Sequence, residues 1–369
     1  MIGPCGTVAC AHPNHTTEIR TSMTFTIAHV NVSKGFRGGE RQTELLIKEL
    51  SRFDIPQILI ARKGGLLAPR LDIPNLTIRL TTGNPFSVAL ACKGANIVHV
   101  HEGRSVYGAY LYSSFSGVPY GVTRRVNNPI GKHFFSYKAY RNAAFVAVIT
   151  PQVGDVVRAH DPRIDPEVVH SSSSNLPINK ESAEKIREIY PGKFLVGHVG
   201  ALDNAQKGQE YIIEAAQELQ DSYQDIHFLL IGGGKDEAML KKMAADVTNL
   251  TFIGFVENVG DYLAALDLFI LPSTKEGMGS ILLDAMNQCL PIVASNVGGV
   301  PEIVHDSENG ILIEPAQPKQ LQDAILHLYH SPELRSEMGQ RGQLLSKRFS
   351  AKVMQEKYMR LYKHALRKA

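Results

Sequence analysis

Two carboxylates, Glu276 and Asp284, stand eight positions apart in the stretch EGMGSILLDAMNQC, around a glycine-containing turn and an apolar run. A helix beginning near Ser280 gathers Ile281, Leu282, Ala285, Met286 and Cys289 into one buried stripe and turns Asp284 and Asn287 along another face. Fully helical geometry would separate the two acids by about 12 Å of axial rise. That is the scale of a ligand with hydroxyl-rich groups at both ends. Carboxylates accept from hydroxyls, and the amides of Gly277, Met278 and Gly279 can donate to an anion between them. A nucleotide sugar has that layout: ribose, diphosphate, hexose. A helix-capping acid plus a surface aspartate describes the same residues equally well. Hydrolysis fits poorly, because two hydrolytic carboxyls must flank one bond at about 5–5.5 Å or about 6.5–9.5 Å.

Other residues of chemical interest lie at the ends of apolar runs. Lys207, in GALDNAQKGQE, follows a turn and precedes a helix, so it can reach an anion; a solvated lysine is the plainer reading. Gly38 and Gly39, in KGFRGGERQ, open a helix after the first strand-like run, where missing side chains admit a ligand to the backbone or simply allow a tight turn. The glycines of IGGGKDE carry the same two readings. In HVHEGRS, period two sends His99 and His101 to one side, with Glu102 beyond. A metal would need further ligands, and none is evident locally. Neither a spaced dinucleotide glycine set nor a phosphate loop ending in Gly-Lys-Ser/Thr is present.

The elements that must hold these residues alternate. From residue 24 onward, short β-branched runs such as FTIAHVNV, QILIA, NLTIRL, NIVHVH and AFVAVIT are interleaved with helical patterns over about 39–52 and 104–115. This is the grammar of parallel α/β units. It weakens over 161–192, which is rich in Pro, Ser and Asp, and restarts at KFLVGHVG. The second series runs through IHFLLIGGG, LTFIGF, LFILPS, PIVAS and GILIEP to amphipathic helices over 317–330, 332–345 and 350–367. Two doubly wound, Rossmann-like domains facing across a deep cleft are therefore expected. Their bounds are 23–170 and 193–349, joined by a linker over 171–192 and closed by a helix over 350–369. Residues 1–22, upstream of Met23, read as a disordered extension without signal-peptide character.

Composition agrees with a globular protein of this size: 369 residues, 44% hydrophobic and 20% charged. A formal charge of +3 does not argue for nucleic acid as a partner. Four cysteines make no disulfide framework, and Cys289 is expected to be a buried free thiol. No apolar stretch is long enough to span a membrane, so the chain is expected in the cytoplasm. Its basic clusters, Arg124-Arg125 and those of the final forty residues, read as solvated surface or as a weak hold on anionic lipid or an anionic substrate.

The ordered set GGERQ, HVHEG, KGQEYIIEAA, FILPSTKEGMG, PIVASNVGGVPEIV and NGILIEP resembles the retaining glycosyltransferases of family 4, across residues 24–369. The resemblance implies a GT-B fold, with an acceptor domain first, a nucleotide-sugar domain second, and the last helix crossing back to the first domain. Glu276 matches the acid at the donor sugar's hydroxyls, Asp284 the ribose-holding position, and Lys207 the basic residue that steadies the diphosphate. Gly38 and Gly39 resemble the loop that closes on the phosphates. His101 resembles the histidine that approaches the transferred sugar, and Gly254 and Phe255 the edge of the base pocket.

Two positions depart from the pattern. Ala201 replaces an arginine common in the family, which Arg41 or Arg104 could partly replace, and the second acid is Asp instead of Glu. The implied activity is retaining transfer of a sugar from a nucleotide diphosphate sugar, a UDP-sugar or GDP-sugar, to a hydroxyl acceptor. The implied setting is lipopolysaccharide, capsule or other glycan or glycolipid assembly, with peripheral contact to an anionic membrane among the expected partners. No Asp-x-Asp motif occurs, so metal-independent transfer without a resident cofactor is expected. Loss of turnover with retention of nucleotide-sugar binding is the alternative, prompted by Ala201. Donor base, sugar, linkage and oligomeric state stay open at this level.

Overall fold

The computed structural model describes residues 25–369; the expected amino-terminal extension lies outside them. Seven parallel strands form the first sheet: β1 (Ile27–Asn31), β2 (Gln57–Arg62), β3 (Leu76–Thr81), β4 (Ile97–Val100), β5 (Tyr120–Arg124), β6 (Phe145–Val148) and β7 (Glu167–Val168). Their order is β3-β2-β1-β4-β5-β6-β7. Six more form the second: β8 (Phe194–Val199), β9 (Ile226–Ile231), β10 (Leu250–Gly254), β11 (Leu268–Leu271), β12 (Ile292–Ser295) and β13 (Gly310–Ile313). Here the order is β10-β9-β8-β11-β12-β13. Every pairing is parallel, as in β1 with β4 and β8 with β11. The central strands are buried along their whole length, which is why IVHV, FVAV, LFIL and IVAS are nearly continuous apolar runs.

Strand order reverses between β1 and β4 and again between β8 and β11. Loops leaving the carboxyl ends of these pairs diverge and leave a crevice between them. His101 sits at the first of these crevices, and Lys207 and Glu276 sit at the second.

Three helices of the first domain had no clear sequence signal by periodicity: Pro85–Ala91, Phe134–Arg141 and Pro151–His160. Each is opened by a side-chain cap instead. Asn84 accepts from the Ser87 amide, His133 from Ser136 and Thr150 from Val153. Pro85 and Pro151 in the first turns supply a preset φ. Cys289 also departs from expectation. It lies beyond the helix Ile281–Asn287, half-buried, with φ of 55°.

The Pro- and Ser-rich region is more ordered than its composition suggests. It holds the helix Lys180–Ile189, fastened to the second domain by Arg187, whose guanidinium donates to both Asp267 oxygens at 2.7 Å. The crossing segment 171–174, neither helix nor strand, is held from both sides. Gln42 donates to the Ser172 carbonyl at 2.7 Å and accepts from its amide at 2.7 Å.

The final helix, Ala351–Lys368, returns to the first domain. Met354, Tyr358, Tyr362 and Ala365 join Ile27, Leu46, Leu50, Ile97 and Phe145 in one apolar cluster. At about 1.5–3 kcal/mol for each large apolar side chain, this burial is enough to dock the helix. No helix among the described residues is long and apolar enough to cross a membrane.

Candidate active site

The connection after β8 carries Lys207, the last residue of the one-turn helix Asn204–Lys207, and the loop after β11 carries Glu276. The Lys207 ammonium donates to Glu276 Oε1, which also accepts from the Ser273 hydroxyl at 3.2 Å. Their side chains are 23% and 9% exposed, so the pair is largely desolvated yet open to the cleft. The loops are stapled: the Thr274 hydroxyl donates to the Ala205 carbonyl at 2.7 Å, and its amide to that of Gln206 at 2.9 Å. Gly208 has φ of 65°, and a Cβ there would stand 2.3 Å from the Pro272 carbonyl oxygen. Only glycine lets the two loops approach this closely.

Below them lies His198, fully buried. Burial, with the nearby Lys207 charge, holds its pKa down to about 4, although its ring donates to the Ile270 carbonyl at 3.1 Å. The amides of Gly277, Met278 and Gly279 make no hydrogen bond to the described residues. Two of the three glycines of IGGGKDE, Gly232 and Gly234, are explained by packing. A Cβ on Gly232 would fall 1.9 Å from the Gly200 carbonyl oxygen, and one on Gly234 2.3 Å from that of Leu202. Nearby, Gly254 borders open space and Phe255 is exposed.

The facing wall belongs to the first domain. Asn127 reaches across to donate to the Glu276 carbonyl at 3.0 Å. A Cβ on Gly277 would meet the Arg125 carbonyl oxygen at 2.7 Å, so the two domains touch backbone to backbone here. Gly38 and Gly39 open the helix Gly38–Leu50, with Ser280 and the Arg125 side chain beside them. His101 directly follows β4 and is stacked against His29 and tilted over His99, at centroid separations of 5.2 and 3.9 Å. Burial pushes the His101 and His99 pKa values well below the ordinary range, and brings His29 down to about 4. Glu102, next in sequence, caps the following turn by accepting from the Arg104 amide at 3.1 Å.

Several expectations change. The Arg124-Arg125 pair is not a solvated surface cluster: Arg124 is 7% exposed and donates to the Asn128 carbonyl. All three guanidinium nitrogens of Arg125 are buried without a hydrogen-bond partner among the described residues. Neither candidate replacement for the missing cation is placed so well. Arg41 is spent on Glu44 at 3.0 Å, and Arg104 is exposed. Asp284 is 4% exposed, and its Oδ1 accepts from the Ser173 hydroxyl at 2.9 Å and the Ser174 amide at 2.7 Å. Burial raises its pKa to about 6 against those hydrogen bonds. In this chain the carboxylate touches the interdomain crossing.

The third histidine of the cluster, His29, comes from β1 and could not be paired with His99 and His101 by local spacing. Ring nitrogens of all three lie within 4.8 Å of one another, the reach of a metal-ligating group. All of their ring nitrogens except His101 Nδ1 are engaged in hydrogen bonds. His99 meets the Tyr362 hydroxyl at 2.7 Å and the Thr123 hydroxyl at 2.7 Å, and His29 Nδ1 meets His101 Nε2 at 3.0 Å.

The family described as glycosyl transferases group 1 matches residues 179–345. Alpha-D-kanosaminyltransferase of Streptomyces kanamyceticus is 30% identical over 274 residues, covering 66% of this chain and 70% of that protein. Alpha-maltose-1-phosphate synthase of Mycolicibacterium smegmatis is 24% identical over 349 residues, covering 82% of this chain and 89% of its own. Among solved structures, Anabaena HepE in complex with UDP-glucose superposes with a TM-score of 0.80 at 18% identity, over 92% of this chain and 99% of that one. The two parallel sheets, the switch-point cleft and the returning helix are those of the GT-B fold. With this architecture and these relatives, the chain belongs to the group 1 glycosyl transferases and is a glycosyltransferase.

Proposed function

We propose that this glycosyltransferase takes a sugar from a nucleotide diphosphate sugar and passes it, with retention, to a hydroxyl of a glycan or lipid-linked acceptor. The observation that carries the reading is the meeting of Lys207 and Glu276 at the β8–β11 switch point, beside three uncommitted amides. A diphosphate draws the Lys207 ammonium and takes hydrogen bonds from Gly277, Met278 and Gly279. The Glu276 carboxylate then accepts from the sugar's hydroxyls. Arg125 adds a second positive charge from the opposite wall, close to Gly39, and offsets the arginine missing at Ala201. The exposed Phe255 ring and the open backbone at Gly254 suit the edge of a base pocket. Asp284 borders the ribose end while bracing the linker.

Charge grows on the leaving diphosphate in the transition state. Preorganised donors stabilise it, and losing one such donor typically costs about 3–4 kcal/mol. Lys207→Ala is therefore expected to lower turnover by two or more orders of magnitude with the fold intact. UDP-glucose, the ligand of the HepE structure, is the first donor to try, followed by other UDP- and GDP-sugars. Near-normal transfer by Lys207→Ala with the best donor would overturn the assignment. These cationic groups also support transfer without a divalent ion, and a strict requirement for added metal after chelation would contradict that part. The exposed Lys352, Arg360, Lys363 and Arg367 of the final helix support peripheral contact with anionic lipid. Sedimentation with anionic but not neutral vesicles tests it.

A further inference from the structure

The buried polar chain behind His101 dictates which of its nitrogens bears the proton. The Ile47 carbonyl can only accept, and Gln57 Nε2 donates to it at 3.1 Å. That turns Gln57 Oε1 toward His29 Nε2, 3.0 Å away. An amide oxygen also only accepts, so His29 carries its proton on Nε2. With the ring neutral, His29 Nδ1 is a bare lone pair. His101 Nε2 lies 3.0 Å from that lone pair and must be the protonated nitrogen. The remaining atom, His101 Nδ1, is buried, bare and without a partner among the described residues.

The groups around these rings favour neutrality. His29 comes from β1, His99 from β4, Arg125 follows β5, and Tyr358 and Tyr362 come from the final helix. Burial, then the neighbouring histidines and the Arg125 charge, disfavours a protonated His101. A metal among the three imidazoles would have to break the His29–His101 bond and the bonds from His99 to Tyr362 and Thr123.

We propose that Gln57 and His29 are positioning residues that hold His101 as its Nε2–H tautomer, so that Nδ1 meets a sugar hydroxyl of the bound substrate as hydrogen-bond acceptor. The assignment rests on the reading of this cleft as a sugar-transfer site, but its first test does not depend on activity. In protein labelled with 15N-histidine, two-bond ring correlations should show His101 with Nε2 protonated and Nδ1 bare. His29→Phe removes the lone pair that selects this form, and its His101 should show both tautomers. His29→Gln presents an amide oxygen toward His101 and an amide donor toward Gln57, and should restore the single tautomer.

The functional readout is a series of deoxy-sugar donors. For the hydroxyl that meets His101, its removal should lower kcat/KM about tenfold in wild type and in His29→Gln, but little in His29→Phe. Nδ1 protonated in wild type, an unchanged tautomer in His29→Phe, or the same deoxy penalty in all three proteins would overturn the proposal. A stoichiometric metal held by wild type and lost by His29→Phe would also overturn it. A confirmed tautomer alongside full turnover by Lys207→Ala would leave the relay standing and sink the donor-site reading instead.

Discussion

Arg125 and Asp284 are both buried charges, and they are held in opposite ways. Arg125 has no carboxylate partner and no acceptor in hydrogen-bond geometry for any guanidinium nitrogen among the described residues, so little offsets its burial in the free protein. Arg125→Met is therefore expected to raise or preserve the melting temperature of the free protein while weakening donor binding at least tenfold. Calorimetry with and without the nucleotide sugar checks both halves. Equal donor affinity would remove Arg125 from the phosphate-binding set. Asp284 has two donors from the crossing segment. Asp284→Ala leaves the Ser174 amide and Ser173 hydroxyl without that acceptor and should cost about 1–3 kcal/mol in urea unfolding. Asp284→Asn keeps an acceptor oxygen and should cost less.

Among the elements, the returning helix has two roles: it seals the apolar face of the first sheet and completes a polar chain under the cleft. Tyr362 meets His99, His99 meets Thr123, and Thr123 meets Tyr358 at 2.9 Å. Tyr362→Phe conserves shape and leaves His99 Nδ1 without its partner, so a loss of about 1–3 kcal/mol is expected. The effect should appear in the urea midpoint, with donor KM little changed, because the helix is behind the cleft and not in it. A stability equal to wild type would show that the hydroxyl–imidazole contact adds nothing. The short helices of the first domain are likewise set by single capping side chains and prolines, which periodicity does not register.

For the whole molecule, the buried histidines set the response to acid. His29 and His198 fall to about 4, and His99 and His101 are also lowered, all chiefly by burial. Unfolded histidine titrates near pH ~6.5, so the unfolded state binds more protons as pH falls below that value, and stability is lost toward pH 4. Asp284 has the opposite sign. Its folded pKa is raised to about 6, so that single contribution improves as pH falls toward the carboxylate's ordinary range. Four histidines against one carboxyl predict a net loss of stability between about pH 7.5 and about pH 5. Urea midpoints across this range measure it. A midpoint that is flat or rises toward pH 5 would contradict the burial of neutral histidines.

The sequence by itself determined the two parallel α/β halves, because strands buried on both faces must be written as unbroken apolar runs. It also located Lys207 and Glu276 at strand ends, since turn chemistry and the strand-to-helix change are local. The ordered motifs made the family legible for the same reason. Only the tertiary structure decided which of these residues meet. Lys207 pairs with a residue 69 positions away, and His29 joins His101 across 72. Arg125 looked like surface because adjacent basic residues usually are; its guanidinium is buried beside Tyr358 of the helix returning from the far end of the chain. Asp284 turned to the linker because the serines at 173 and 174 approach it in space. Burial and proton placement depend on what packs against a side chain, and those neighbours are chosen by the fold.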